Sequence, residues 1–376
     1  MRKLFSLLFV ACVVAPSSAA TFSITHFGTP PDAQAAIQYA ADIWGGILVS
    51  DVPIKVSVSW SALGGAALGV TFPNGRKDFP NAPVSATWYA SALANSIEHA
   101  ELNPGEDDIN VYLNSGTNWY LGTDGNTPAG QYDLVSIALH ELGHGLGFVG
   151  LAKKVVSEGS FGLLQASDFA PLITTFPWPE QDTLPGIFDR FLTSTANGPL
   201  TFLNNPSNTL GTAITSNQVY FNGANALAAN AGQNARVYAP SVFALGSSCV
   251  HLNEATFPAG NPNELMTPFS SAGQSNHWPG PICLGILRDI GWTLAPDVGV
   301  AEHHLPSVHL FPDPATSEIT IITNNPGGKE PITVADAFGR VVLRTSNSRP
   351  IDVSGLDAGS YIARGQGGWV ARFLKQ

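Results

Sequence analysis

The clearest periodicity in the chain lies between Asp133 and Gly147. At ~100° per residue, Val135, Leu139, Leu142 and Leu146 fall on one apolar stripe. That spacing predicts a helix of about three turns, with Asp133 as its N-cap and Gly147 supplying a left-handed stop. A second helix is predicted over Pro31–Trp44, where Ala33, Ile37, Ala40, Ala41 and Trp44 recur at three- and four-residue spacing behind an initial proline. Ile54–Trp60 alternates strictly and reads as a strand with one wet face. A further helix is expected over Trp88–His99, a strand over Ile109–Leu113 and an edge strand within Gly116–Leu121. A helix, a few strands and a helix suggest an α+β layer, with the 133–147 helix packed under the sheet.

From His304 onward the pattern changes. Pro306, Pro312 and Pro314 mark a linker, set at residues 298–306. Short alternating runs follow at Ile319–Ile322, Ile332–Val334, Val341–Leu343, Ile351–Val353 and Tyr361–Arg364, separated by Gly and Asn turns. Such spacing predicts a small all-β sandwich over residues 307–376. The expected class is thus α+β, a mixed sheet plus the 133–147 helix over residues 21–297, followed by that sandwich.

The N-terminus reads as a leader. Arg2 and Lys3 precede an apolar run from Leu4 to Ala15, and Ser18-Ala19-Ala20 offers small residues for cleavage after Ala20. The run is too short to span a bilayer, and no later stretch reaches eighteen apolar residues, so no transmembrane segment is expected. With 28 acidic against 17 basic residues and a net charge of −11, and no basic block, nucleic acid and anionic membranes are poor partners. Low charge and no heptads give no reason to expect more than a monomer. Of 3 cysteines, Cys12 leaves with the leader. Cys249 and Cys283 remain, an even pair in an oxidising compartment. The expectation is a bond between them; the alternative is two buried free thiols.

Candidate chemistry centres on the first helix. His140 and His144 lie one turn apart, off the apolar stripe, so both imidazoles can reach one ion. Glu141 is rotated roughly 100° from His140, suited to touching a metal's water rather than the metal. Hydrolytic zinc needs this division: two imidazoles, a third protein ligand, an open position for water and a carboxylate base. The third ligand must come from far along the chain, because Gly150, six residues after His144, cannot bind metal. Of His26, His99, His251, His277, His303, His304 and His309, His251 has the best company. It stands in Cys249-Val-His-Leu-Asn-Glu254, and Asn263-Glu-Leu-Met-Thr-Pro268 follows, with Met266 in a Pro-bounded turn. His277, in a flexible loop after that methionine, is the rival. His99 and Glu101 read as a solvated helix end. Asp107, Asp108 and Asp124-Gly-Asn126 leave calcium possible but unsupported, since turn chemistry explains them equally.

His140-Glu-Leu-Gly-His-Gly-Leu-Gly-Phe148, a long insert, then His251 and Asn263-Glu-Leu-Met-Thr267 resemble the metzincin metallopeptidases, and within them the leishmanolysin-like group. Leu287-Arg-Asp-Ile-Gly-Trp292 resembles that group's closing helix. The resemblance implies His140, His144 and His251 as zinc ligands, Glu141 as general base and Met266 as the turn residue beneath the metal. It also implies a Cys249–Cys283 disulfide tying the His251 loop to the closing helix. The chain departs from the family in lacking a propeptide cysteine and in its insert at about 151–247, with Asp189, Arg190 and Tyr238 among its few polar anchors. Whether that insert guides substrate or is an inert excursion stays open. In the tail, Phe311-Pro-Asp-Pro-Ala315, Asp336-Ala-Phe-Gly-Arg340 and Val353-Ser-Gly-Leu-Asp-Ala-Gly-Ser-Tyr361 resemble the C-terminal sorting domain of the type IX secretion system. That implies export across a Gram-negative outer membrane, to the medium or the cell surface, with the secretion machinery as a partner. A carbohydrate- or protein-binding module of like topology is the alternative. The expected function is a secreted zinc endopeptidase acting on protein or peptide substrates; the alternative is a non-catalytic secreted adhesin or binding protein with a structural zinc site.

Overall fold

The computed structural model describes residues 19–64, 66–178, 182–296, 309–312, 314–322, 331–336, 340–346, 350–365 and 370–376. The chain divides into two compact units, residues 1–299 and 300–376. The leader and the 298–306 linker fall outside the described residues, apart from Ala19 and Ala20. Ala20 is buried, and its N–H donates to the Leu48 carbonyl at 2.9 Å.

The first unit opens with β1 (Phe22–Phe27), α1 (Pro31–Ile47), β2 (Ile54–Ser61), β3 (Gly69–Pro73), β4 (Gly75–Lys77), β5 (Trp88–Ala90), α2 (Ser91–Glu98), β6 (Ile109–Asn114), β7 (Trp119–Tyr120), β8 (Tyr132–Asp133) and α3 (Leu134–Gly145). Four strands make a sheet in the order β1-β2-β6-β3. The first two pairings are parallel, and β3 runs antiparallel along the edge. Alternation along β6 turns Ile109, Val111 and Leu113 into the core. Helix α3 packs against β3, β6 and α1. Trp44 of α1 is wholly buried and donates its indole N–H to the Leu139 carbonyl at 3.0 Å, so the helix pair is locked by a satisfied polar contact as well as by area. Two expectations shift. Trp88–Ala90 is a strand, because its backbone pairs with Gly75–Lys77, and the helix begins only at Ser91. The strand near residue 119 is two residues long and pairs with β8, away from the main sheet.

The insert holds the hairpin β9 (Ala152–Val155) and β10 (Glu158–Phe161), then β11 (Leu192–Ser194), β12 (Gly198–Pro199), α4 (Asn208–Ala213), β13 (Val219–Phe221), α5 (Ala224–Ala229) and β14 (Ala235–Val237). Its sheet runs β12-β11-β13-β14 and shares the main hydrophobic core with α1, α3 and the large sheet. Helix α6 (Pro281–Ile290) closes the unit against α5. Asp289 accepts from the backbone N–H groups of Asn225 and Ala226, both at 2.9 Å, capping α5 from outside its own chain segment. Trp292 donates its indole N–H to the Leu146 carbonyl at 2.7 Å, where α3 ends.

The cysteines correct the sequence reading. Cys249 and Cys283 are free and fully buried. The Cys249 thiol is turned toward the Ile214 carbonyl, 3.8 Å away, while Cys283 lies inside α6. Burial pushes both thiols up, so they act as small core residues and not as a cross-link.

In the second unit, β15 (His309–Phe311), β16 (Glu318–Ile322) and β19 (Ile351–Asp352) form one sheet. Strands β17 (Pro331–Asp336), β18 (Val341–Ser346), β20 (Gly359–Gly365) and β21 (Val370–Lys375) form another, in the order β18-β17-β20-β21. Leu310 and Ile319 of the first share one buried cluster with Ile332, Val334, Ala363 and Phe373 of the second, so two sheets enclose one core.

Candidate metal centre

Asp133 starts α3 as its N-cap, its carboxylate accepting from the Ser136 N–H at 3.2 Å and from the Ser136 hydroxyl at 2.6 Å. At the other end Leu146 caps the helix, and Gly147 takes φ 112°, a region open to glycine, so the chain leaves at once. The Phe148 carbonyl then folds back to face His144 Nδ1 at 2.7 Å. His140 Nδ1 faces the Leu265 carbonyl at 2.6 Å, and His251 Nδ1 faces the Ser247 carbonyl at 2.9 Å. A carbonyl can only accept, so each Nδ1 carries the proton and each Nε2 presents a lone pair.

Those three Nε2 atoms converge. They lie 3.0 Å (His140–His144), 3.1 Å (His144–His251) and 3.3 Å (His140–His251) apart. With all the ring protons committed outward, none is left to bridge them. Burial lowers the pKa of all three rings. It holds His251 down to about 3, with His140 adding to the effect, and holds His144 well below the usual range with help from both neighbours. Neutral, tautomer-fixed imidazoles with inward lone pairs fit a cation. Among the described residues these three form the group of side chains able to hold a metal ion.

His251 reaches the site because the insert carries it there. The His251 carbonyl accepts from Tyr238 N–H at 2.8 Å, Asn253 N–H donates to Arg236 at 2.9 Å, and Leu252 bridges Val237, so the segment extends the β14 edge. On its other side Leu252 N–H donates to the Met266 carbonyl at 2.8 Å. Met266 is fully buried beneath α3. A Cβ added at Gly143 would lie 2.8 Å from its sulfur. The turn at 264–267 therefore holds His140 through Leu265, supports α3 through Met266 and braces the His251 segment.

Glu141 is 5% exposed, and one carboxylate oxygen accepts from the Thr71 hydroxyl at 2.7 Å. Its other oxygen lies where a Cβ on Gly69 would fall, at 2.6 Å. The edge strand β3 thus fixes one oxygen through Thr71 and, by having glycine at 69, leaves room for the other. Desolvation raises the carboxyl to about 7, with Thr71 acting in the opposite sense. A cleft of about 680 Å³ opens over these residues. It is walled by β3, by the insert segment from Val149 to Trp178, and by residues 245–276.

The remaining candidates lie elsewhere. His277 is held by Asp133, Nε2 to Oδ2 at 2.6 Å, which pins its loop to the start of α3. His99 is the left-handed C-cap of α2, its side chain 73% exposed beside Asp51, and Glu101 pairs with Lys55 at 2.8 Å. Asp108 accepts from Lys55 N–H and Asn95, and Asp124 closes a turn with Asn126. Gly150 lies against Asp189, where a Cβ would come within 2.3 Å of Oδ1. The buried Asp189 accepts from the N–H groups of Leu151 at 2.9 Å and Gly186 at 2.8 Å. Sequence reasoning missed Thr71 and Gly69. An alternating Gly-Val-Thr-Phe run says strand, and nothing in it says which helix residue lies beneath.

Residues 95–174 match the model of a family described as SPBPB7E8-like. That span includes His140, Glu141 and His144 and stops short of His251. Residues 309–369 match the model of the secretion system C-terminal sorting domain. No curated protein matches the chain. The molecule is therefore an α+β unit with a three-histidine cluster able to hold a metal, joined to a type IX secretion sorting domain. The tail is what that machinery handles, and it supports a secreted or cell-surface destination.

Proposed function

We propose that the protein is a secreted zinc-dependent endopeptidase of the metzincin type, with a leishmanolysin-like order of elements. The observation that carries this reading is the convergence of three Nε2 lone pairs beside a buried carboxylate held by Thr71 in an open cleft. Zinc–nitrogen bonds of ~2.0–2.1 Å at tetrahedral angles put neighbouring nitrogens about 3.3–3.4 Å apart, and the spacing of 3.0 to 3.3 Å suits that ion. When bound, zinc would supply Lewis acidity toward a scissile carbonyl and toward water.

The chain's own groups do the rest. His140, His144 and His251 would hold the ion through Nε2, and the Leu265, Phe148 and Ser247 carbonyls keep the rings turned inward. Glu141 takes a proton from water and delivers it to the leaving nitrogen, serving first as base and then as acid. The open edge of β3 offers backbone groups to an extended chain, which favours peptides over small esters. The decisive assay follows cleavage of an unstructured protein with and without chelator, in the wild type and in Glu141→Gln. Hydrolysis should stop with chelator and fall by roughly 10²-fold or more in Glu141→Gln, with zinc content unchanged. Cleavage that survives the substitution defeats the mechanism.

A further inference from the structure

One wall of the cleft has no part in holding metal or base. Phe169, Leu172 and Phe176 of the insert are partly exposed and face the cleft, over the buried Leu164 and Trp178. Phe169 stands edge-on to Phe72 of β3, with ring centroids 5.1 Å apart, and lies nearly parallel to Phe176 at 6.3 Å. Phe72 directly follows Thr71, the partner of Glu141, so along β3 the shelf begins one residue from the base.

The shelf is fixed before anything binds. Asp168 accepts from Gln165 N–H at 2.7 Å and from the Lys153 ammonium at 2.7 Å, and its own N–H donates to the Gln165 carbonyl at 3.0 Å. This closes the turn that carries Phe169. Beneath it, Trp178 packs edge-on against Trp88 at 5.5 Å. Half-exposed aromatic rings held on a braced turn lose little freedom when a ligand covers them.

We propose that this shelf is a specificity subsite, taking a bulky apolar side chain of a polypeptide laid along the open edge of β3. The inference rests on the peptidase reading and assigns the insert a role in it. Strand geometry supplies the register. Side chains alternate between faces, so a chain paired with β3 turns one residue toward Thr71 and α3 and the next toward Phe72 and the shelf. Phe, Leu and Met fit such a surface, whereas Asp would lose its hydration there.

The test uses quenched fluorogenic peptides with Ala, Leu, Phe or Asp at each position in turn, on the full-length zinc-loaded protein. At one position kcat/KM should favour Phe over Ala by about tenfold or more. That ratio should collapse toward one in Phe176→Ala and reverse in Leu172→Trp, which fills the shelf. The exposed Phe202→Ala should leave it unchanged. Ratios near one at every position, or a preference that survives both shelf variants, would overturn the assignment. Fluorescence anisotropy of the same peptides on Glu141→Gln separates the two claims. If nothing is cleaved by the wild type but Phe peptides bind more tightly than Ala peptides, the peptidase reading falls and the subsite stands. Equal binding removes the subsite whatever the hydrolysis shows.

Discussion

On one side of the cleft, α3 brings His140, Glu141 and His144 to the site on a capped helix with a buried stripe. On the other, residues 149–253 bring His251 and an aromatic wall through short strands, tight turns and side chains that stand in for backbone partners. Asp189 satisfies the chain just after α3, and Asp289 caps α5 from another helix. The first side depends on periodic pattern, the second on single polar residues at chosen points. The three-histidine cluster needs both, since its nitrogens converge only if the irregular side is placed as accurately as the helical one.

Met266 is where the two sides are braced together, so its removal should have the largest structural effect. Met266→Ala leaves a cavity under Gly143, and a loss of roughly 2–5 kcal/mol is expected from denaturant unfolding. Loss of Leu265 support should also weaken zinc retention on dialysis. A loss under ~1 kcal/mol would show that the turn is not the brace described here.

Thr71→Val removes one hydrogen bond to Glu141 and keeps the strand. kcat should fall about tenfold, the scale of one charge-assisted bond, with KM and zinc content near wild type and recovery in Thr71→Ser. An equal loss in Thr71→Ser would point to a packing role.

Asp189 sharpens the comparison through pH. Burial holds its carboxyl at about 7, against the ordinary 3.8, with the Leu151 and Gly186 N–H groups acting the other way. A raised carboxyl favours its neutral form in the fold. Its stabilisation is therefore fully present below about 4 and lost as pH rises through about 7. Asp189→Asn removes that slope, so wild-type stability relative to the variant should decline across this window. A difference that stays flat from pH 4 to 7 would contradict it.

The smallest effect concerns the cysteines. A structural disulfide contributes about 2–4 kcal/mol, so with both thiols free a reductant should leave the melting temperature of the metal-loaded protein unchanged. A clear fall would restore the bond expected from cysteine count.

How much could be read in advance follows the same division. The stripe of Val135, Leu139, Leu142 and Leu146, the Asp133 cap and the Gly147 stop announced α3, since propensity, period and capping agree there. The alternation of β2 and β6 was equally plain. Trp88–Ala90 misled because apolar residues before a helix carry the same pattern as its first turn, and only pairing with Gly75–Lys77 makes them a strand. The cysteines misled because counting thiols says nothing of where the fold puts them: Cys249 faces the Ile214 carbonyl, while Cys283 lies inside α6. In the insert, strands of two or three residues are too short for any period to appear. The placement of His251 depends on β14, an element the pattern does not reveal. Thr71 was illegible for a related reason, its partner lying 70 positions away.

The most direct test of the whole account is metal stoichiometry by mass spectrometry on purified full-length protein and on His251→Ala, after equilibrium dialysis against limiting zinc. The three-nitrogen centre predicts one zinc per wild-type chain and its loss from the variant, with the fold retained by circular dichroism. Zinc held by His251→Ala at wild-type stoichiometry and affinity would contradict it.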